Sequence, residues 1–320
     1  MTDLVAFGDT ALQFSPRGSE RLAATRETRI HTNGIESGAA AAATVVGAEG
    51  TWVSKLPDSP LGRHAVDQLR QHGVETEITW TDPDEARQGL VFREVGHAPR
   101  EEMIRYDREG TAVASANPGD LPMDLVQSAE TVFAGGSTAV LSEQATTTTE
   151  AMLRAAGGGG AITVADVDYR EGFRPADRYR ETIGQLAEQI DVLTVQAEHA
   201  ETVFGASGRP RELAHTLTAE YDLGTVVVTQ DDCSAVALRD TPGTNVAHEQ
   251  GAVGVDIVDA TGRQAAFVGG LLGRLARGDD LPGALVDAVA AAALACTVPG
   301  SLLSATRGEI DGVVARMRAG

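Results

Sequence analysis

One junction near the C-terminal end of the chain carries most of the information about its architecture. It reads Val258-Asp259-Ala260-Thr261-Gly262-Arg263-Gln264-Ala265-Ala266-Phe267-Val268-Gly269-Gly270. A short apolar segment ends, small residues form a turn, and an alanine-rich helix begins. Because the first N–H groups of a helix have no partner within it and carry a partial positive charge, a phosphate group would bind at this junction.

Outward from the junction, segments typical of buried strands alternate with helical segments. The strand segments lie at about 4–9, 51–54, 131–134, 161–166, 192–195 and 225–229, and the helical segments at about 37–47, 60–72, 143–156, 178–188, 198–203, 209–221, 265–276 and 281–295. This alternation predicts an α/β fold, with a mostly parallel central sheet flanked by helices. Since no linker interrupts the pattern, we expect a single domain over residues 1–320.

A second pattern predicts a small sheet outside the main core. Residues 76–81, 88–94 and 102–106 alternate polar and apolar side chains, as strands with one buried face do. We expect these strands to form a β lid, with its strands within residues of about 10–32 and 76–112.

The charge balance excludes two classes of partner. The 320 residues include 46 Asp and Glu against 26 Lys and Arg, which gives a net charge of −20. Such a protein repels nucleic-acid backbones and anionic lipid surfaces, so neither nucleic acid nor a membrane is an expected partner. Lys55 is the only lysine. Because salt at ~1 M screens charges beyond about 3 Å, this acidic and lysine-poor composition is typical of a halophilic protein.

The composition also predicts a cytoplasmic protein without a metal site. Two cysteines, Cys233 and Cys296, make no disulfide framework, which fits a reducing compartment. No apolar run reaches the ~18 residues that a membrane span needs, and the N-terminus is typical of a strand rather than of a signal peptide. The seven histidines show no ligand-type spacing, so no zinc site is expected.

The junction resembles the C-terminal signature D-T-T-G-A-G-D-A-F of the PfkB, or ribokinase-like, carbohydrate kinases, and within them most resembles the haloarchaeal 2-keto-3-deoxygluconate kinases. The likeness covers essentially the whole chain, with further matching blocks at 8–16, 54–62, 106–108, 166–170 and 297–300. It implies a ribokinase-like fold, ATP and Mg²⁺ as cofactors, a small-molecule sugar acid as substrate, and a homodimer formed through the β lid.

The signature is only partly retained at the phosphate-binding junction. Asp259, Thr261 and Gly262 match the family, which implies nucleotide binding for the first two and a catalytic anion hole for Gly262. The family's catalytic Asp, the base that accepts the proton of the sugar hydroxyl, aligns with Ala265. Alanine has no titratable group, and the loss of a general base costs about 10²–10⁴-fold in rate.

Two neighbouring substitutions affect the same junction. Gln264 replaces a glycine, and its side chain would hinder the close approach of the backbone to a phosphate. Arg263 replaces an alanine, and it would either pair with a phosphate or lie on the surface with its charge in water.

The resemblance assigns substrate contacts to Asp9, Gly34, Tyr106, Arg108 and Arg170. Tyr106 and Arg108 match lid positions that contact the keto acid, and Arg170 matches the arginine that binds its carboxylate. The guanidinium fork suits a carboxylate, although solvent exposure is the alternative for both arginines.

The sugar-binding signature G-G-x-x-x-N is eroded, because it reads Asn33-Gly34-Ile35-Glu36-Ser37-Gly38 here. The sugar-facing amide is therefore missing, and Gly38 is better explained by helix packing. A family tyrosine aligns with Val91.

The nucleotide side is eroded as well. Of the family's N-x-x-E only Glu198 remains, and the T-x-G-x-x-G loop keeps Thr229 but has lost both glycines. Asp231 and Asp232 stand in this loop, where they would repel phosphates if they lie near them; a solvated turn is the alternative.

Two hypotheses from different classes follow. The chain is either an ATP-dependent sugar-acid kinase, or a relative with degenerate motifs that binds a ligand or regulates without phosphoryl transfer. Losses at the base, the anion hole, the sugar amide, the magnesium site and the nucleotide loop favour the second.

Overall fold

Two β-sheets organise the chain in the computed structural model, which describes residues 2–241 and 243–319. The strands are β1 (Leu4–Phe7), β2 (Ala11–Pro16), β3 (Thr28–Asn33), β4 (Gly50–Pro57), β5 (Glu75–Thr81), β6 (Leu90–Glu94), β7 (Met103–Asp107), β8 (Thr131–Gly135), β9 (Ile162–Asp166), β10 (Val192–Gln196), β11 (Thr225–Thr229), β12 (Ala235–Thr241) and β13 (Thr244–Gln250).

Helices connect these strands and cover the larger sheet. They are α1 (Ile35–Val45), α2 (Pro60–Gln71), α3 (Met123–Ser128), α4 (Gly136–Ala139), α5 (Glu143–Gly159), α6 (Ala176–Leu186), α7 (Ala197–Phe204), α8 (Pro210–Tyr221), α9 (Arg263–Ala276), α10 (Leu281–Ala295) and α11 (Arg307–Ala319). Within the residues described, no helix is both long enough and apolar enough to cross a membrane.

The large sheet confirms the predicted α/β fold. Its strand order is β13-β12-β11-β10-β9-β8-β1-β4-β5, and all neighbours are parallel except the β11–β12 and β12–β13 pairs. The central strands β1 and β8 are buried along their whole length, as expected for strands covered on both faces. Because parallel strands end at the same edge, the residues that follow β1, β9, β10 and β11 meet there.

Small residues bring helices α1 and α9 close together beside this edge. A Cβ atom at Gly269 of α9 would lie only 2.2 Å from the carbonyl oxygen of Ala39 in α1. Residues 39–43 of α1 are all alanine and all buried, and Ala39, Ala42 and Ala43 lie against glycines of α9. The close packing fixes the N-terminus of α9, and with it the junction at 259–267, against the sheet.

The small sheet has the order β3-β2-β6-β7 and forms the predicted lid, but residues 76–81 are not part of it. These residues belong to β5, which pairs in parallel with β4 at the edge of the large sheet. An edge strand of a large sheet also has one solvated face, so its alternation is the same as that of a lid strand. The pattern identified an edge strand without showing which sheet it joins.

Candidate functional site

A cavity of about 650 Å³ lies between the lid and the carboxyl edge of the large sheet. It is lined by the β3–α1 turn, strands β2, β6 and β7, the loop after β9, the β10–α7 turn, the start of α9 and Ser301 in the segment after α10. A second cavity of about 320 Å³ adjoins it, between the β10–α7 turn and the loop after β11.

The structure brings most of the predicted site residues to these two cavities. The larger one is lined by Gly34, Tyr106, Arg170, Glu198, Thr261 and Ala265. Thr229 and Glu198 line the smaller one together with Asp231 and Asp232, so the eroded nucleotide loop borders a space. Gly262 lines neither cavity, and a Cβ atom there would lie 2.7 Å from the carbonyl oxygen of Ser301, so the position has no room for a side chain.

Asp9 and Arg108 form an ion pair behind the larger cavity. Their side chains are almost fully buried, and Nε of Arg108 lies 2.8 Å from Oδ2 of Asp9. The guanidinium also donates to Ser137 and stacks over the Phe173 ring at 4.9 Å. Arg108 is therefore not solvent-exposed, and it borders a void of only about 10 Å³ beside Gly34.

Asp168 and Arg170 form a second pair, on the cavity wall. Nη2 of Arg170 lies 2.6 Å from Oδ1 of Asp168, whose side chain is 4% exposed. Asp168 has a φ of +41°, and its backbone N–H donates to Oδ1 of Asp166. Its other oxygen, Oδ2, has no hydrogen-bond partner among the described residues. The arginine predicted to bind a substrate carboxylate is thus already paired with a carboxylate of the chain.

The side chain of Gln264 ties the start of α9 to the sheet. Its Nε2 donates to Oδ2 of Asp166 at 2.7 Å, and its Oε1 accepts from the hydroxyl of Thr229 at 2.8 Å. Burial, and next the negative charge of Asp168, raise the pKa of Asp166 to about 7. The family signature has a glycine at this position. In this chain the Gln264 side chain instead cross-links strands β9 and β11.

Arg263 lies between the two cavities and holds the loop after β11. Its guanidinium donates to the backbone carbonyl of Asp231 at 2.7 Å and lies 2.5 Å from the carboxylate of the same residue. The Arg263 side chain is only 13% exposed. The arginine is therefore not at the surface; it lines the larger cavity and is paired there with the exposed Asp231.

Arg93 is a cavity-lining residue that the sequence did not single out. From lid strand β6 its Nη1 reaches Oδ1 of Asp259 at 2.9 Å. Burial favours protonation of Asp259, but hydrogen bonds from Thr261 and the charge of Arg93 hold its pKa below the usual range. Arg93 lies on the same face of β6 as Val91, since side chains two apart share a face. That periodicity is the signal that would have identified it.

Glu36 is a buried acid in the first turn of α1, close to the carboxyl edge of the sheet. It is 1% exposed, and its Oε1 accepts from the backbone N–H of Gly135 at 3.1 Å. Burial and then the charge of Asp168 raise the pKa of Glu36 to about 8. The acid is therefore largely protonated at neutral pH.

A parallel α/β sheet, with a four-stranded lid over a cavity at its carboxyl edge, defines the ribokinase-like class of kinase folds. The sequence pattern of the pfkB family carbohydrate kinases matches residues 1–307. The chain therefore belongs to the pfkB family, as the junction predicted.

Similarity to individual kinases is consistent with membership of the pfkB family. The chain is 38% identical to a 2-dehydro-3-deoxygalactonokinase of Haloferax volcanii, over 98% of its own length and 96% of the relative. A crystal structure of 2-dehydro-3-deoxygluconokinase from Thermotoga maritima superimposes with a TM-score of 0.86 at 26% identity, and 98% of each chain is covered. A fructokinase of Xylella fastidiosa with bound ATP shares the fold, with a TM-score of 0.82 at 19% identity over 99% of this chain and all of the other.

The residues present do not fit the triphosphate of a nucleotide. Asp231 and Asp232 line the smaller cavity, and Arg263 beside them is already neutralised. At the start of α9 the Gln264 side chain stands where the signature needs a glycine. Over residues 2–241 and 243–319, no group of three or more His, Cys, Asp or Glu side chains is arranged to hold a metal ion.

Proposed function

We propose that this pfkB-family chain binds a small carbohydrate in the larger cavity and does not transfer a phosphoryl group to it. One observation carries the proposal: Ala265 stands at the start of α9, on the cavity wall, where the family signature has its catalytic Asp.

The buried carboxylates at this edge of the sheet are engaged by other groups of the chain. Asp168 is the buried carboxylate that lines the same cavity, and it is held by Arg170 at 2.6 Å. Asp166 accepts from Gln264, Thr194 and a backbone N–H. Without a positioned base, proton removal from a sugar hydroxyl is slower by about 10²–10⁴-fold.

The nucleotide side adds an electrostatic obstacle. A phosphate near the carboxylate of Asp231 or Asp232 would be repelled by about 4 kcal/mol for each unit charge pair at 4 Å and an effective dielectric constant of ~20. Arg263 would have to break its contact with Asp231 before it could compensate. These features support carbohydrate binding without nucleotide binding.

The carbohydrate side of the cavity keeps polar groups suited to a ligand. Asn33, Gly34, Tyr106 and Arg170 surround it, and the described relatives are named for kinase activity on 2-dehydro-3-deoxy sugar acids. We therefore place the ligand among sugars and sugar acids.

An active sugar-acid kinase that uses ATP and Mg²⁺ is the second candidate. The 38% identity to the Haloferax volcanii relative extends over the whole chain, and Asp259, Thr261 and Gly262 of the signature are retained. Members of the family use ATP and Mg²⁺, so this function requires both.

We also propose a cytoplasmic homodimer that forms through the lid. Ile30 on β3 and Met103 on β7 are large apolar side chains, 37% and 41% exposed, on the face of the lid opposite to the cavity. Burial of such side chains against a second copy would remove apolar area from water. Light scattering with Met103→Glu, compared with the wild type, tests this arrangement: the variant should be monomeric.

Calorimetry in molar KCl separates the two candidate functions. The protein is titrated with ATP–Mg²⁺ and, separately, with a panel of hexose-derived and pentose-derived sugars and sugar acids. We expect saturable binding of a carbohydrate and none of ATP–Mg²⁺. Tight nucleotide binding with turnover would establish the kinase, and the absence of any carbohydrate binding would overturn the binding function.

A further inference from the structure

The arginines that line the larger cavity share one property: each is held by a carboxylate of the chain. Among the described residues these pairs are Arg93–Asp259 at 2.9 Å, Arg170–Asp168 at 2.6 Å and Arg263–Asp231 at 2.5 Å. None of these guanidinium groups is left with an uncompensated charge for a ligand anion.

The remaining charges on the cavity wall are negative. Glu171 and Glu198 line the cavity and are exposed, and Glu102 contacts Arg93, which already holds Asp259. Nε2 of His199 lies 3.7 Å from Glu198, but burial, and next the charge of Arg170, lower the pKa of this histidine to about 4. The imidazole is therefore neutral at pH 7 and does not balance the carboxylates.

We propose that the cavity takes a neutral sugar or polyol in preference to the corresponding sugar acid, and that Asp168 sets this preference by occupying Arg170. The inference rests on the proposed carbohydrate binding and names the ligand class. A neutral ligand differs from the sugar acids for which the relatives are named.

The geometry of Asp168 explains the preference. Oδ1 is committed to Arg170, while Oδ2 is buried and accepts no hydrogen bond from the described residues. A ligand hydroxyl has a proton to donate to a carboxylate, whereas a ligand carboxylate has none and brings a second negative charge.

Arg170 cannot serve both carboxylates equally well. Its side chain is 25% exposed and reaches the cavity, so a ligand carboxylate beside it would also lie close to Asp168. Repulsion between two carboxylates in such a poorly solvated place offsets the attraction of the single guanidinium. A neutral ligand avoids this repulsion.

Matched ligand pairs test the inference by calorimetry. D-Glucitol and D-gluconate share a carbon chain and differ in CH₂OH against carboxylate at one end, and galactitol and galactonate form a second pair. With the wild type in molar KCl at pH 7, we expect the neutral member of a pair to bind about tenfold tighter or more, because one like-charge contact is removed.

The variant Asp168→Asn tests whether Asp168 causes the preference for the neutral ligand. The amide keeps the shape, frees Arg170 and removes the repulsion, so acid binding should rise relative to neutral binding by about tenfold or more. Glu181→Gln is the matched control, because Glu181 on α6 is exposed and does not line the cavity, and the ratio should stay unchanged. If Asp168→Asn does not fold, the wild-type comparison stands alone.

The outcomes distinguish a failure of the proposed ligand preference from a failure of the proposed carbohydrate binding. Tighter binding of the acids by the wild type, or an unchanged ratio in a folded Asp168→Asn, would overturn the inference and leave carbohydrate binding intact. Binding of no member of the panel to the wild type would overturn both.

Discussion

A Cβ atom at Gly38 would lie 2.7 Å from the Cβ atom of Ala265. Real Cβ contacts are longer than this, so α1 and α9 meet here only because residue 38 has no side chain. The two positions are those at which the family signatures have the sugar-binding Asn and the catalytic Asp. The two substituted positions are therefore in direct contact.

The substitution Gly38→Ala should destabilise the protein through this contact. One added methyl group must push α1 and α9 apart at a tightly packed point, which costs about 1–3 kcal/mol. Denaturant unfolding in molar KCl measures the change. Gly312→Ala on the outer helix α11, where an added Cβ would contact nothing within 4 Å, is the control and should not lower the stability.

Removal of the Gln264 cross-link should also destabilise the fold. Gln264→Gly removes one hydrogen bond each from Asp166 and Thr229 at a buried site, at a cost of about 1–3 kcal/mol. The helix interior also loses a better helix former. A free energy of unfolding equal to that of the wild type would show that the cross-link does not contribute to stability.

The buried acid Glu36 should make stability depend on pH. Its pKa rises from 4.5 to about 8 on folding, so the folded state holds a proton that the unfolded state releases. The free energy of unfolding should therefore fall as pH rises from about 4.5 towards 8, by an amount on the order of a few kcal/mol. In Glu36→Gln the part of this fall that is due to Glu36 should disappear, while the part that is due to Asp166, whose pKa is raised to about 7, should remain. An identical pH profile for variant and wild type would exclude Glu36 as its source.

Release of Arg263 should restore some affinity for phosphates. Asp231→Asn removes the charge that holds the guanidinium, and binding of inorganic pyrophosphate should tighten by roughly tenfold. Asp232→Asn removes the same charge from the same loop but leaves the Arg263–Asp231 pair intact. An equal gain in both variants would mean that only the net charge matters.

The family and the α/β fold were predictable because both depend on local patterns. Strand and helix segments alternate along the chain, and the junction at 259–267 is contiguous in the sequence. The sheet that residues 76–81 join was not predictable, since alternation reports one solvated face and not the neighbouring strand.

The electrostatic state of the cavity was not predictable from the sequence. Arg93 and Asp259 are 166 residues apart, and Arg263 and Asp231 are 32 apart, so only the folded chain reveals these pairs. Arg170 and Asp168 are neighbours, but their contact depends on the left-handed backbone of Asp168. The sequence identified several residues that line the cavity, although not Arg93, and could not show that the arginines there are paired with carboxylates.

The most direct test of the proposed function is transfer of a labelled phosphoryl group from ATP to a 2-keto-3-deoxy sugar acid or to a neutral sugar. The assay is run in molar KCl with Mg²⁺, with the Haloferax volcanii relative as the positive control. We predict no labelled sugar phosphate above the rate without protein, and little or no gain in the variant that combines Arg263→Ala, Gln264→Gly and Ala265→Asp, because Asp231 and Asp232 remain. Saturable turnover by the wild type would contradict the proposed function.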